Sequence, residues 1–312
     1  MAGFTSPGLV LASNKAIMEA QRGIAFAKYF STDFSAELQS VGKTAAVPVF
    51  SGNATVYSEQ AGSVNNYETT DGSIIPVNVT LSQIVKVTYK LGQMDLLEVN
   101  KSATSRNCGI AGGRAIGRKL EETIMGLLTC GNRLAAHSSF TVAKLGEALA
   151  TAHGNNLDPA TCVVILDPAH YGKLLDANVN NAAIQGDNIA EALGRKYGCK
   201  AILCSGKVSK IPTAAAGETP AVEKGAGFIV PDAAIAIAGR GIEQAVDGMY
   251  SEYGTETDEA SGLTVTAFVH GAHATNTRYM NVACLLGAKL TREVDSNSVA
   301  NGAPGYIQLV TA

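Results

Sequence analysis

Residues 77–91, VNVTLSQIVKVTYKL, alternate with period two from end to end. The odd positions are Val77, Val79, Leu81, Gln83, Val85, Val87, Tyr89 and Leu91; the even ones are Asn78, Thr80, Ser82, Ile84, Lys86, Thr88 and Lys90. Side chains of an extended chain point alternately to opposite faces, so this pattern predicts one strand with an apolar face. At about 3.3 Å per residue it would span on the order of 50 Å, far beyond a usual strand. Upstream, AAVPVF (45–50) and NATVYS (53–58) can form the returning strand, with the polar EQAGSVNNYETTDGS (59–73) as a loose tip. A two-stranded ribbon is marginal alone. Its apolar face needs a cover, and the chain offers few elements nearby to provide one. The inference is that a second subunit covers it; the alternative is a ribbon folded back on its own domain.

A second stretch, GIAGGRAIGRKLEE (109–122), raises the question of phosphate binding. A phosphate loop needs G-x-x-x-x-G-K-[ST] after a buried strand. Gly112 and Gly117 have the separation, but Arg118, Lys119 and Leu120 follow, and the preceding NKSATSRNC (100–108) is polar. The pattern G-x-G-x-x-G is absent too. A helix fits instead: Ile116, Leu120, Ile124 and Leu127, with Leu128 beside them, make one apolar stripe. Arg114, Arg118, Glu121 and Glu122 form a polar side. Gly109, Gly113 and Gly117 share a face, and each interior glycine costs about 1 kcal/mol against alanine. Another backbone is therefore expected to pass close over that face; an irregular first turn is the alternative.

The remaining chain reads as mixed α and β. Residues 13–30 are predicted helical, with Ser13 or Asn14 as cap, and 31–45 irregular. TVAKLGEALATAH (141–153) is a helix with Leu145, Leu149 and Ala152 on one face. A buried strand (161–168), a helix (169–177), a helix closed by glycine (188–198) and a strand (199–205) follow. After an Ala-, Gly- and Pro-rich loop (206–226) come a strand, turn and short apolar segment (227–240), then strands at 262–274 and 279–290.

Composition narrows the function classes. Among 312 residues the net charge is -3, which gives no bulk signal for nucleic acid. Only 16% of residues are charged, and a neutral surface favours association. No apolar run is long enough to span a membrane. The N-terminus lacks the basic region of a secretory signal, so the N-x-[ST] matches at Asn53 and Asn78 carry little meaning. The six cysteines form no C-x-x-C; Cys199 and Cys204 have C-x4-C spacing without a second pair, and a reduced fold is expected.

No catalytic constellation emerges. His270 and His273, three apart in a predicted strand, face opposite ways and cannot chelate together. His137, His153 and His170 are single, and neither H-E-x-x-H nor G-x-S-x-G occurs. The acidic run Glu252, Glu256, Asp258 and Glu259 does not fit a calcium loop. It reads as a solvated turn, with an intersubunit or weak cation site as the alternative. Arg114 and Arg118, four apart on one helix face, can meet phosphates or a neighbouring carboxylate, or form a plain solvated face. No enzyme, metal site or cofactor is expected.

The co-linear order of a helical arm, a long ribbon, a glycine-marked helix, an α/β region and a late strand resembles the major capsid protein of tailed phages. That family has the α+β Hong Kong 97-type fold, shared with encapsulins. VNVTLSQIVKVTYKL is similar to the returning strand of the E-loop, and GRAIGRKLEETIMGLL (113–128) to the spine helix. CVVILDPAHYGKLLDA (162–177) and GFIVPDAAIAIAGR (227–240) resemble A-domain segments. The resemblance implies an N-arm at 1–44, an E-loop at 45–96, a P domain at 97–139 with 251–280, and an A domain at 140–250 with 281–312. It implies an icosahedral shell of hexamers and pentamers, assembled in the host bacterial cytoplasm around double-stranded DNA held without sequence specificity, with portal and scaffolding or decoration proteins as partners. The expected intersubunit residues are Val49, Tyr57, Tyr67, Val77, Val79, Leu81, Val85 and Val87 of the E-loop. Gly109, Gly113, Arg114, Gly117, Arg118 and Glu121 would mark the spine helix, and Glu252, Glu256 and Asp258 a second intersubunit loop. Residues 51–76 contain no lysine, so the lysine–asparagine crosslink of some relatives is not expected. With no long charged prefix, any scaffold is expected to be a separate protein. The alternatives are an encapsulin-like compartment and, in another class, an α/β enzyme using residues 160–240.

Overall fold

The structure, a computed structural model, describes residues 4–5, 7–20, 24, 26–30, 44–51, 73–91, 98–129, 140–154, 157–178, 189–213, 224–242, 252–259, 261–272, 277–291 and 305–311. The chain forms two compact units: 1–45, 78–127 and 236–289 in the first, and 46–77, 128–235 and 290–312 in the second.

Among the described residues, the first unit joins two long helices to a six-stranded sheet. Its strands are β1 (Phe4–Thr5), β4 (Gln83–Leu91), β8 (Ile235–Arg240), β9 (Glu252–Thr257), β10 (Thr264–Ala272) and β11 (Thr277–Leu290). The sheet order is β1-β9-β10-β11-β4, with β8 also paired to β11. Helix α1 (Pro7–Glu19) begins at a proline, whose missing N–H costs nothing at a first helical position. The start expected at Ser13 is thus several residues late. Ser13 is no cap: it is fully buried, its hydroxyl donates to the Gly254 carbonyl at 2.8 Å and accepts from the Ala267 amide at 3.2 Å. Gly254 and Ala267 are register partners on β9 and β10, so one serine ties α1 to two strands.

Helix α2 (Glu98–Gly126) is longer than the sequence suggested and begins well before the glycines. Ile116, Leu120 and Ile124 are fully buried, as the stripe required. The helix ends at Gly126, so Leu127 leaves the stripe and is half-buried, while Leu128 goes inside.

The fifteen-residue alternation is not one strand. Residues 73–80 form β3, which pairs with β2 (Thr44–Ser51) in a two-stranded ribbon, whereas 83–91 form β4, which pairs with β11. The break falls at Leu81–Ser82. Its cause is local: Val79 and Leu81 are fully buried, and the Thr80 carbonyl rests against Gly287 of β11, where a Cβ would clash. Burial of these two side chains ends the run that periodicity alone would continue. Residues 52–72, which hold Tyr57, Tyr67 and all of the proposed tip but Ser73, lie outside the described residues, as do His137 and His273.

The second unit holds a four-stranded sheet, β12-β7-β5-β6, from β5 (Cys162–Leu166), β6 (Ala201–Cys204), β7 (Lys224–Pro231) and β12 (Ile307–Thr311). Every residue of β5 is buried, which suits a central strand. β5 and β6 run parallel, so a crossover must join them, and α4 (Pro168–Asp176) and α5 (Ile189–Tyr197) supply it. Asp167 caps α4, accepting from the amides of Ala169 and His170, with Pro168 at the first helical position. With α3 (Leu145–Gly154), the helices close a core of Leu145, Leu149, Val164, Leu174, Leu193, Ile202, Ile229 and Leu309. On the other face Phe228 meets Tyr306 edge-on at 5.9 Å. The Tyr306 hydroxyl donates to the Thr129 carbonyl and accepts from its amide, both at 2.7 Å.

β11 is continuous from 277 to 290 and the unit border falls after 289, so the border expected between 280 and 281 cuts a single strand. Residues 236–242, expected with the second region, belong to the first unit.

Candidate assembly surfaces

The glycine face is an intramolecular contact. A Cβ on Gly109 would collide with the backbone of Ala12, one on Gly113 with that of Ala16, and one on Gly117 would come 2.9 Å from the Ala20 carbonyl oxygen. Glycines repeat every four residues on α2 and alanines every four along α1 to Ala20 just past its end, so two ladders of small residues face each other in step. Beside them, Gly112 leaves room for Val282 of β11, whose Cβ would lie 2.8 Å from an added Cβ. The backbone expected over the glycines is therefore that of α1.

Arg114 and Arg118 lie on the exposed side of α2. The Arg114 guanidinium donates to Glu19 of α1 at 2.9 Å, and Arg118 Nε donates to the Arg114 carbonyl at 3.3 Å. Arg114 thus meets a carboxylate of its own chain. Glu121 is buried, with 3% exposure, and is not part of an open polar side.

On the ribbon and β4 the expected residues divide. Val49 lies on β2, and Val77 is half-buried. Val79 and Leu81 are covered by their own chain and offer nothing to a neighbour. Val85 and Val87 are half-buried. The open face of β4 is the even one, with Ile84, Lys86, Thr88 and Lys90, a set the apolar pattern directed attention away from. On that face Thr88 donates to Asn281 Oδ1 at 2.6 Å, and the Asn281 amide lies 2.8 Å from His270 Nδ1. His270 stacks on Tyr279 at 5.5 Å. This polar ladder crosses three strands and was not legible, because its members lie far apart in sequence.

The acidic segment is not a solvated turn throughout. Glu252 and Glu256 are half-buried on β9, and the turn begins only at Asp258. Asp258 holds that turn, accepting from the Ser261 amide at 2.8 Å and its hydroxyl at 2.6 Å.

Candidate chemistry is sparse. Among the described residues no three His, Cys, Asp or Glu side chains converge as metal ligands. Burial pushes the thiols of Cys162, Cys199 and Cys284 up to about 12, leaving them protonated and unreactive at neutral pH. Burial also raises the Tyr89 and Tyr171 phenols. His170 Nδ1 contacts the Asp167 carboxylate that caps α4, so this pair belongs to the helix start. No described helix is long and apolar enough to cross a membrane.

This arrangement of ribbon, small-residue helix pair and two sheets is the α+β Hong Kong 97-type fold expected from the sequence. The chain superposes on the capsid of Ralstonia phage GP4 with a TM-score of 0.52 at 12% identity, covering 90% of this chain and 86% of that one. A structure from Mycobacterium phage Che8 gives 0.49 at 12% identity, with 91% and 90% covered. The capsid of the cyanophage P-SCSP1u gives 0.49 at 15%, with 92% and 88% covered. No protein-family model and no curated protein matches by sequence.

Proposed function

We propose that this chain is the major capsid protein of a tailed double-stranded DNA phage. The observation that carries the reading is the fold shared with the Ralstonia phage GP4 capsid over 90% of the chain. In this reading many copies close into an icosahedral shell of hexamers and pentamers, and the protein is structural, with no enzymatic activity of its own. The β2–β3 ribbon serves as E-loop, residues 1–44 as N-arm, α2 with β4 and β8–β11 as P domain, and the β5 sheet with its helices as A domain. Val49, Tyr57, Tyr67 and Val77 are the ribbon residues proposed to meet a neighbour. The shell forms in the host cytoplasm and joins a portal and scaffolding or decoration proteins. DNA is held inside without base-specific contacts, in keeping with a net charge of -3.

The chain expressed alone and imaged by negative-stain electron microscopy is expected to give closed shells or capsomer rings. A uniform monomer or dimer at high concentration overturns the reading. Shells isolated from cells should contain DNA rather than a protein cargo, which separates a phage head from an encapsulin-like compartment. On denaturing gels mature shells should run as single chains, because residues 51–76 lack lysine; a covalent ladder contradicts that.

A further inference from the structure

Two opposite edges of the six-stranded sheet carry charge of opposite sign. β4 forms one edge, with Ile84, Lys86, Thr88 and Lys90 exposed on a single face. Ile84 is 54% exposed, among the few large apolar side chains left open. Lys86 and Lys90 stand four residues apart, about 13 Å along a strand. Neither forms an ion pair among the described residues. The apolar stem of Lys86, the next residue on that face, extends the apolar surface of Ile84.

Toward the other edge lies β9. β1 pairs only with Glu252 and Tyr253, so Gly254–Thr257 has no further strand beside it among the described residues. Glu256 sits there, and Glu259 projects from the turn that Asp258 and Ser261 hold rigid. Neither glutamate forms an ion pair among the described residues.

We infer that the exposed face of β4 docks on the β9–β10 turn of a second copy of this chain, Lys86 and Lys90 of one copy facing Glu256 and Glu259 of the next. The occupant is a second copy because one chain carries both halves of the complement on opposite edges. Such a contact is head-to-tail, and it closes into a ring or propagates as a row. Ile84 supplies an apolar contact at one end of the row and the charges set register. The inference rests on the self-assembly reading above and names the faces that meet. It differs from the expectation that the apolar odd face of this strand is the shared one: that face turns toward the chain's own helix α2.

Charge exchange tests it. K86E/K90E and E256K/E259K are made separately and combined, and assembly is followed by sedimentation and electron microscopy, with circular dichroism as the check on folding. Each double variant should raise the concentration needed for assembly at least about tenfold, and the four-fold exchange should return it to within about threefold of wild type. Reversed charges still protect a strand edge from unwanted pairing, so lysines that act only as guards would leave K86E/K90E assembling normally. Double variants that assemble like wild type, or an exchange that rescues nothing, overturn this docking while leaving the capsid reading intact. A wild-type chain that never assembles overturns both.

Discussion

Where α1 meets α2, three glycines face three alanines and backbone lies on backbone. Where α3 meets the core of the second unit, Leu145 and Leu149 are inserted side chain by side chain, with Ala148 and Ala152 between them. Both contacts are dry, and they fail in opposite directions. The glycine ladder has no room for an added atom, because the opposing atoms are backbone and cannot rotate away. The leucine face cannot lose one, because the neighbours relax only partly into the space.

The largest effect should come from Gly113→Leu. Its Cβ alone collides with the Ala16 backbone, so a loss of at least about 3 kcal/mol is expected in urea unfolding. Ala16→Gly should not rescue it, since the obstacle is main chain. A Gly113→Leu protein of wild-type stability would break the comparison. Leu145→Ala should cost about 2–5 kcal/mol, the usual range for a fully buried leucine. A cost under about 1 kcal/mol would mean that the second core yields as easily as a surface.

Cys284, fully buried on β11, reports on the dryness of the first unit. Its folded thiol is pushed up to about 12 by burial, against about 8.5 for an unperturbed thiol. The protonated thiol therefore contributes stability that is complete below about pH 8.5 and is lost as pH rises toward the folded value. Between about pH 9 and 11, wild type should lose about 1.4 kcal/mol per pH unit more than Cys284→Ala. Parallel pH profiles would mean that water reaches β11. The smallest effect sharpens the role of glycine itself. Gly126 ends α2 with nothing near its missing Cβ, so Gly126→Ala should stabilise by about 0.5–1 kcal/mol.

Legibility followed the same divide. The apolar stripe of α2 and the all-buried β5 were plain because side chains announce themselves by period. The glycine spacing pointed to a close backbone, though not to α1 as its owner. β12 was missed because fully buried Gln308 interrupts its apolar run, its amide donating to the Pro212 carbonyl at 3.1 Å. β9 was read as a turn because its polar sequence, EYGTET, is held by Ser13 and by strand pairing rather than by an apolar face. The open face of β4 stayed hidden because periodicity marks which residues share a face, and only the fold decides which face meets the interior.

Ser13 also sets a schedule. Its partners Gly254 and Ala267 are synthesised 241 and 254 residues later, an interval of roughly 13 to 50 s at about 5–20 residues per second. Until then the first helix can lean on α2 yet has no strands to bind. The first unit is thus a fold of high contact order, closed by its latest pieces. A ribosome stalled before β9 holds a chain whose opening helix still lacks both anchors, so such truncated products cannot complete the sheet edge through which copies are proposed to meet.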